Sequence, residues 1–215
     1  MRGYHFLNAR YGLEDIRKRR LKISRLQDLN DPFELLGIEL SDEGLRKQLL
    51  AFKQRESEDR GMLCFSRSWT NPVQWSHYAD RHRGVCLGFE IHPSLPIRVD
   101  YTAKRLAKEL MAGARNRETM RRLLCTKYSH WKYEREERVF VSLEDKDRDL
   151  EGLYFQSFSP LFRLAEVIVG ARSTVSRLDI EDALGGLAAE VTVFKARLAF
   201  RSFTVVRNKR ESLWS

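Results

Sequence analysis

Polar and apolar positions along the chain divide it into short alternating stretches and a few helical ones. "GYHFLN" (residues 3–8) predicts a first strand. "GLEDIRKRRLKISR" (12–25) then predicts a helix that runs into a second short strand around Leu21 to Ser24. "NDPFE" (30–34) predicts a turn, because a residue before proline avoids the helical region and Asn30 and Asp31 can bond nearby amides. Ser41 or Asp42 is placed to cap a helix through Arg60 that Gly61 ends. "MLCFSRS" (62–68) reads as a strand and "NPVQWSHYA" (71–79) as a short helix, with Asn71 as cap and Pro72 in its first turn.

"GVCLGFEI" (84–91) and "IRVDY" (97–101) are apolar enough to predict strands covered on both faces. Residues 102–128 read as the longest helical stretch, bent near Gly113. Further strands are predicted at "RVFVSL" (138–143), "LAEVIVG" (164–170), "EVTVFKARLAF" (190–200) and "RSFTVVRN" (201–208), with a helix over about 174–187 that starts at Ser173 or Thr174. Strands and helices do not alternate regularly, which points to an α+β fold rather than a doubly wound sheet.

Composition narrows this picture. With 215 residues, 42% of them hydrophobic, and no Gly/Ser or Pro-rich linker, the chain predicts a single folded domain over residues 1–215. No apolar leader or membrane-length segment is present in the sequence, so a cytoplasmic protein is expected. Cys64, Cys86 and Cys125 are widely spaced, without a metal-ligand pattern, and are expected as buried thiols. No metal site is expected from the isolated histidines.

The net charge of +9 is concentrated: nine Lys/Arg face two Glu between Lys104 and Lys132, and Arg17 to Arg25 holds six basic residues without an acid. Such clusters suit a phosphate-rich partner or form solvated helix faces. On the first alternative Arg25, Lys104, Arg105, Arg121 and Arg122 contribute to a nucleic-acid surface.

Two constellations could carry chemistry. In "HWKYEREERVF" (130–140), Glu134 and Glu136 stand two apart. An extended backbone would put both carboxylates and Arg138 on one face, with Trp131 and Tyr133 on the other. Paired carboxylates stabilise a cation or act as acid and base; they also form ordinary ion pairs with Arg135 and Arg138 on a surface strand. The second group is Trp75, Ser76, His77 and Tyr78, which could stack on a nucleobase or nicotinamide and bond a ribose, or serve as core with His77 at the surface.

Taken in order, "YHF", "NDPFE", "CFSRSWTNPVQWSHYADRHRGVCLGF", "VDY", "KYSHWKYEREERVF" and "LAEVIVGARS" resemble an uncharacterised bacterial family, a domain of unknown function found among phage-defence and abortive-infection genes. The resemblance spans about residues 1–175. That family is similar in turn to the ADP-ribosyltransferase superfamily, including its DNA-modifying toxins. The resemblance implies a split mixed sheet with flanking helices and an NAD-dependent ADP-ribosyltransferase-like toxin or defence effector acting on nucleic acid, with a possible cognate antitoxin.

It further implies that Tyr4, His5, Phe6, Asn30, Asp31, Ser66, Trp75, Ser76, His77 and Tyr78 hold NAD, and that Glu136 is catalytic with Glu134 as its helper. Cleaving the N-glycosidic bond builds positive charge on the ribose, which a carboxylate stabilises without a metal. Two other readings stay open. One is a non-enzymatic nucleic-acid-binding or antitoxin-like module. The other is a metal-dependent nuclease using Asp31, Glu34, Glu134 and Glu136.

Overall fold

The structure, a computed structural model, describes residues 1–34, 36–113, 116–144, 146, 148–210, 212 and 214, with the backbone alone at 111–113. The chain begins with β1 (Arg2–Leu7), α1 (Ala9–Lys18), β2 (Arg20–Lys22), β3 (Ser24–Arg25), α2 (Glu43–Asp59) and β4 (Arg60–Ser66). It continues through α3 (Pro72–Tyr78), β5 (Val85–Ile91), β6 (Ile97–Arg98), β7 (Asp100–Thr102), α4 (Arg117–Leu124) and β8 (Thr126–Tyr128). The last elements are β9 (Glu136–Ser142), β10 (Phe155–Ser157), β11 (Phe162–Val169), α5 (Arg177–Leu184), β12 (Thr192–Leu198) and β13 (Val205–Arg207). Parallel and antiparallel pairs both occur, so the fold is α+β with mixed pairing. Among the described residues no helix is long and apolar enough to cross a membrane.

Two compact units divide the chain. The first comprises Met1–Leu21, Phe65–Ser94 and Gln156–Ser215. In it the strands lie in the order β13-β12-β11-β5-β1, and Tyr4 of β1 is opposite Ser66 at the end of β4. All of β5 except Glu90 is buried, as its continuous apolar run predicts. β11 and β12 are parallel, and α5 supplies the crossover that parallel pairing requires. Phe6, Trp75, Cys86, Ile168, Phe194 and Val205 form a core cluster against which Tyr4, Trp69 and Tyr78 pack.

The second unit comprises Lys22–Cys64 and Leu95–Phe155. β3 pairs with β4, β6 pairs with β9, both antiparallel, and β7 pairs with β8 in parallel. Leu26, Leu49, Phe52, Met62, Leu124 and Cys125 form its core cluster.

Several elements differ from their sequence reading. The first helix begins at Ala9 rather than Gly12, because the Asn8 side chain accepts from the Tyr11 amide. Gly61 is not a helix stop. It lies in β4, where a Cβ would come within 2.2 Å of Ile23 Cγ2 and 3.0 Å of the Ser24 oxygen.

Residues 102–128 are not one long helix: β7 ends at Thr102, a 3-10 turn covers Lys108–Gly113, and Asn116 caps the shorter α4 before β8. The last helix starts at Arg177, where Ser176 and Asp179 make a reciprocal capping box.

Candidate functional site

The acidic segment lies wholly in the second unit and is not extended throughout. Ser129–Glu134 forms a 3-10 turn, Arg135 takes a left-handed conformation at φ 49°, and β9 begins only at Glu136. The two carboxylates therefore do not share a face by strand alternation. They meet on a third residue, Lys127 of β8, whose Nζ donates to Glu134 Oε2 at 2.6 Å and to Glu136 Oε2 at 3.1 Å. The same ammonium lies 3.9 Å from Glu34 Oε2 and 4.9 Å from the centre of the Trp131 ring. Trp131 is thus on the side of the carboxylates, not opposite them, because the helical turn brings it over the lysine four residues before.

Arg138 completes the group from β9 and is fully buried. Its Nε donates to Glu136 Oε1 at 2.8 Å, its Nη2 to Glu136 Oε2 at 3.2 Å, and its Nη1 to Glu34 Oε1 at 2.7 Å and the Leu124 carbonyl at 2.5 Å. The pairing of Glu136 with Arg138 is therefore a buried, forked ion pair rather than a surface one. Glu34, Glu134 and Glu136 against Lys127 and Arg138 leave one negative charge in excess among these paired groups.

Burial would raise the Glu136 carboxyl, but Arg138 and then Lys127 more than offset it and hold the group at about 2. Lys127 is also desolvated, yet the charges of Glu136, Glu134 and Glu34 hold its ammonium above the usual range. The Glu136 amide donates to the Tyr101 hydroxyl at 2.8 Å, and burial pushes that phenol up to about 12.

Lys127 also lines a pocket of about 350 Å³, whose walls include Phe33, Leu36, Thr102, Arg105 and Tyr128. Phe33 and Tyr128 are half-exposed aromatics, and the Arg105 guanidinium lies 5.3 Å from the Phe33 ring centre. Lys104 is exposed on the same pocket wall.

The remaining sequence-predicted residues distribute as follows. Asp31 is buried and its Oδ1 accepts from the Phe33 amide, which fixes the "NDPFE" turn beside the pocket; Asn30 is exposed. Tyr4, His5, Phe6, Ser66 and Trp75 to Tyr78 belong to the first unit. Trp75 is fully buried, edge-on to Phe6 at 5.3 Å, stacked with His82 at 6.2 Å, and donates from Nε1 to the Trp69 carbonyl. It is a core residue with no open face for a base.

Ser66 is buried and bonds the Ser68 carbonyl and Gln74 Oε1, whereas Ser76 and His77 are exposed. Ser76 Oγ is 3.3 Å from His82 Nε2, and His77 sits edge-on to Tyr78. His5 is tilted against Phe65 at 5.7 Å. Burial, then the charge of Glu166, pushes the Tyr4 hydroxyl up to about 12.

The basic residues read as a nucleic-acid face are mostly engaged with their own chain. Arg25 donates to the Ser57 carbonyl, Arg105 to the carbonyls of Leu36 and Ile38, and Arg121 pairs with Glu118 and Asp100. Lys104 and Arg122 are exposed.

Sequence reasoning missed Lys127 as the centre of the group. The signal was a single lysine seven and nine residues before the two glutamates, visible only to a reader who had placed a turn between them. No protein-family model, curated protein or solved structure matches the chain.

Proposed function

We propose that the pocket beside Lys127 binds NAD and that the protein is an ADP-ribosyltransferase-like enzyme, a toxin or defence effector with nucleic acid as acceptor. The observation that carries this reading is the double role of Lys127, which lines the pocket and holds the carboxylates of Glu134 and Glu136. The pocket's volume suits one ring system with its ribose, not a whole dinucleotide. Phe33 and Tyr128 offer apolar walls for the ring. Lys104, exposed on the pocket wall, is suited to a phosphate of the cofactor.

NAD supplies the ADP-ribosyl group. The chain's part is electrostatic: Glu136 stays ionised far below neutral pH, and Lys127 holds Glu134 beside it, so that negative charge is in place before positive charge develops on a bound ribose.

The test compares wild type with Glu136→Gln, Glu134→Gln and Glu137→Gln, following NAD binding, nicotinamide release and melting temperature. Glu136→Gln is expected to lower release by roughly a hundred- to thousandfold, the usual loss for one electrostatic stabiliser, while NAD still binds. Glu137, one residue on in β9, should tolerate the change. Failure of wild type to bind NAD or release nicotinamide ends the reading.

A second reading is favoured by Arg138, which forks onto Glu136 of its own strand and also pairs with Glu34, a structural clasp between β9 and the "NDPFE" turn. On that reading the protein is a binding module without catalysis, and Glu136→Gln lowers the melting temperature and has no other effect.

A further inference from the structure

The C-terminal stretch 191–210 contains six basic residues and no acid. It folds as an antiparallel hairpin within the first unit, with Leu198 opposite Val205 and Arg197 opposite Val206. The Ala199 amide donates to the Thr204 carbonyl at 2.9 Å, so the strands close just below a tip formed by residues 200–203. The strands of the hairpin are anchored: Phe194 and Ala196 of β12 and Val205, just below the tip on β13, are core, and the Val205 amide donates to the Thr70 carbonyl.

The tip is the reverse. Phe200 and Phe203 are 90% and 99% exposed. Arg197 places its guanidinium 4.5 Å from the Phe200 ring centre, and Arg201, itself exposed, stands between the two rings in sequence. Singly exposed apolar residues are ordinary on a protein surface, but two aromatic rings held out on a fixed turn among guanidinium groups are a specific composition.

We propose that this hairpin docks single-stranded nucleic acid: Phe200 and Phe203 stack on unpaired bases while Arg197 and Arg201 neutralise neighbouring phosphates. Every base presents a flat π face, so a pair of presented rings captures a strand without reading its sequence, and the cations supply the electrostatic attraction. The charge argues against the other occupants. A second copy of the same hairpin would bring its four positive charges, Lys195, Arg197, Arg201 and Arg207, against four. A membrane finger would carry its apolar side chains foremost with its cations set back, whereas here Arg201 is at the tip itself and would have to follow the rings into the bilayer. The inference shares the class of acceptor with the transferase reading but stands on the hairpin alone.

Fluorescein-labelled twelve-nucleotide strands of thymidine and of uridine, titrated without NAD and followed by anisotropy, provide the test. Wild type should bind, with log affinity falling against log salt by about 0.7 for each phosphate contacted. Removing each ring, in Phe200→Ala and Phe203→Ala, should weaken binding from about fivefold to more than a hundredfold. The double Leu variant should be no better, because an aliphatic side chain keeps the apolar surface but loses the stacking face. Leu178→Ala, on the exposed side of α5, should bind as wild type.

Melting temperatures check that the variants fold. Should the alanine changes alter them, Arg201→Glu carries the test and is expected to weaken binding. No binding by wild type overturns the proposal, as does binding unchanged in the double Leu variant. Sedimentation with phosphatidylserine vesicles in place of strand binding overturns it in favour of a membrane surface. Because NAD is absent and Glu136 intact throughout, strand binding without nicotinamide release faults only the transferase reading, and release without strand binding faults only the hairpin.

Discussion

Lys127 is the residue on which the acidic centre depends. A buried ion pair contributes little over an apolar packing, but removing one partner leaves the other charge stranded, at a cost of about 3 to 5 kcal/mol. Lys127→Met should therefore lower the unfolding free energy by about that amount in urea titrations, since Glu134 and Glu136 would lose their shared ammonium. Unchanged stability would mean that the carboxylates take up protons or water instead.

Two carboxyls give opposite pH dependences. Glu136 is held at about 2 against an ordinary 4.5, so its stabilisation is full above about pH 4.5 and is lost as pH falls toward 2. Asp15, in α1, is pushed up from 3.8 to about 7 by burial, so the folded chain keeps a proton that the unfolded chain releases. Its contribution falls as pH rises from about 4 to 7, and Asp15→Asn should flatten the melting temperature across that window. Glu134 and Glu136 were legible as a pair from "ERE". Lys127 and the buried state of Arg138 were not, because both depend on where the chain turns rather than on residue type.

At the scale of elements, legibility follows the presence of a local device. Asn71 with Pro72 declared α3, and the Asn71 side chain does accept from the Val73 amide. β5 was visible as an apolar run broken only at Glu90. Residues 102–128 misled because their helix-favouring Lys, Arg, Leu and Glu also suit an exposed turn, while the small apolar set that packs inward, Leu123 and Leu124, supports only α4. Gly61 misled in the other direction. A glycine after a helix suggests a stop, but here it admits β3 alongside β4. Gly61→Ala should destabilise the protein by about 1 to 3 kcal/mol in thermal or urea unfolding, because Ile23 and the Ser24 backbone must shift to make room. A neutral result would show that β3 moves aside at no cost.

The whole molecule is where the sequence was least informative. An α+β composition with mixed strands was readable from the irregular alternation of elements, but strand order was not. β1 pairs with β5, and β5 with β11, across long intervals that no local pattern encodes. Each unit is assembled from separate stretches of chain, and β1 is made before either β5 or β11 exists. At usual elongation rates, on the order of ten to thirty seconds pass between synthesis of β1 and completion of β11. During that interval the almost wholly apolar β5 has left the ribosome without the neighbour on its far side. The first unit can therefore close only after its last stretch, from Gln156 onward, has been synthesised, and the nascent chain's exposure to aggregation or to holding chaperones is set by the distance in sequence between β5 and β11 rather than by the stability of the finished fold.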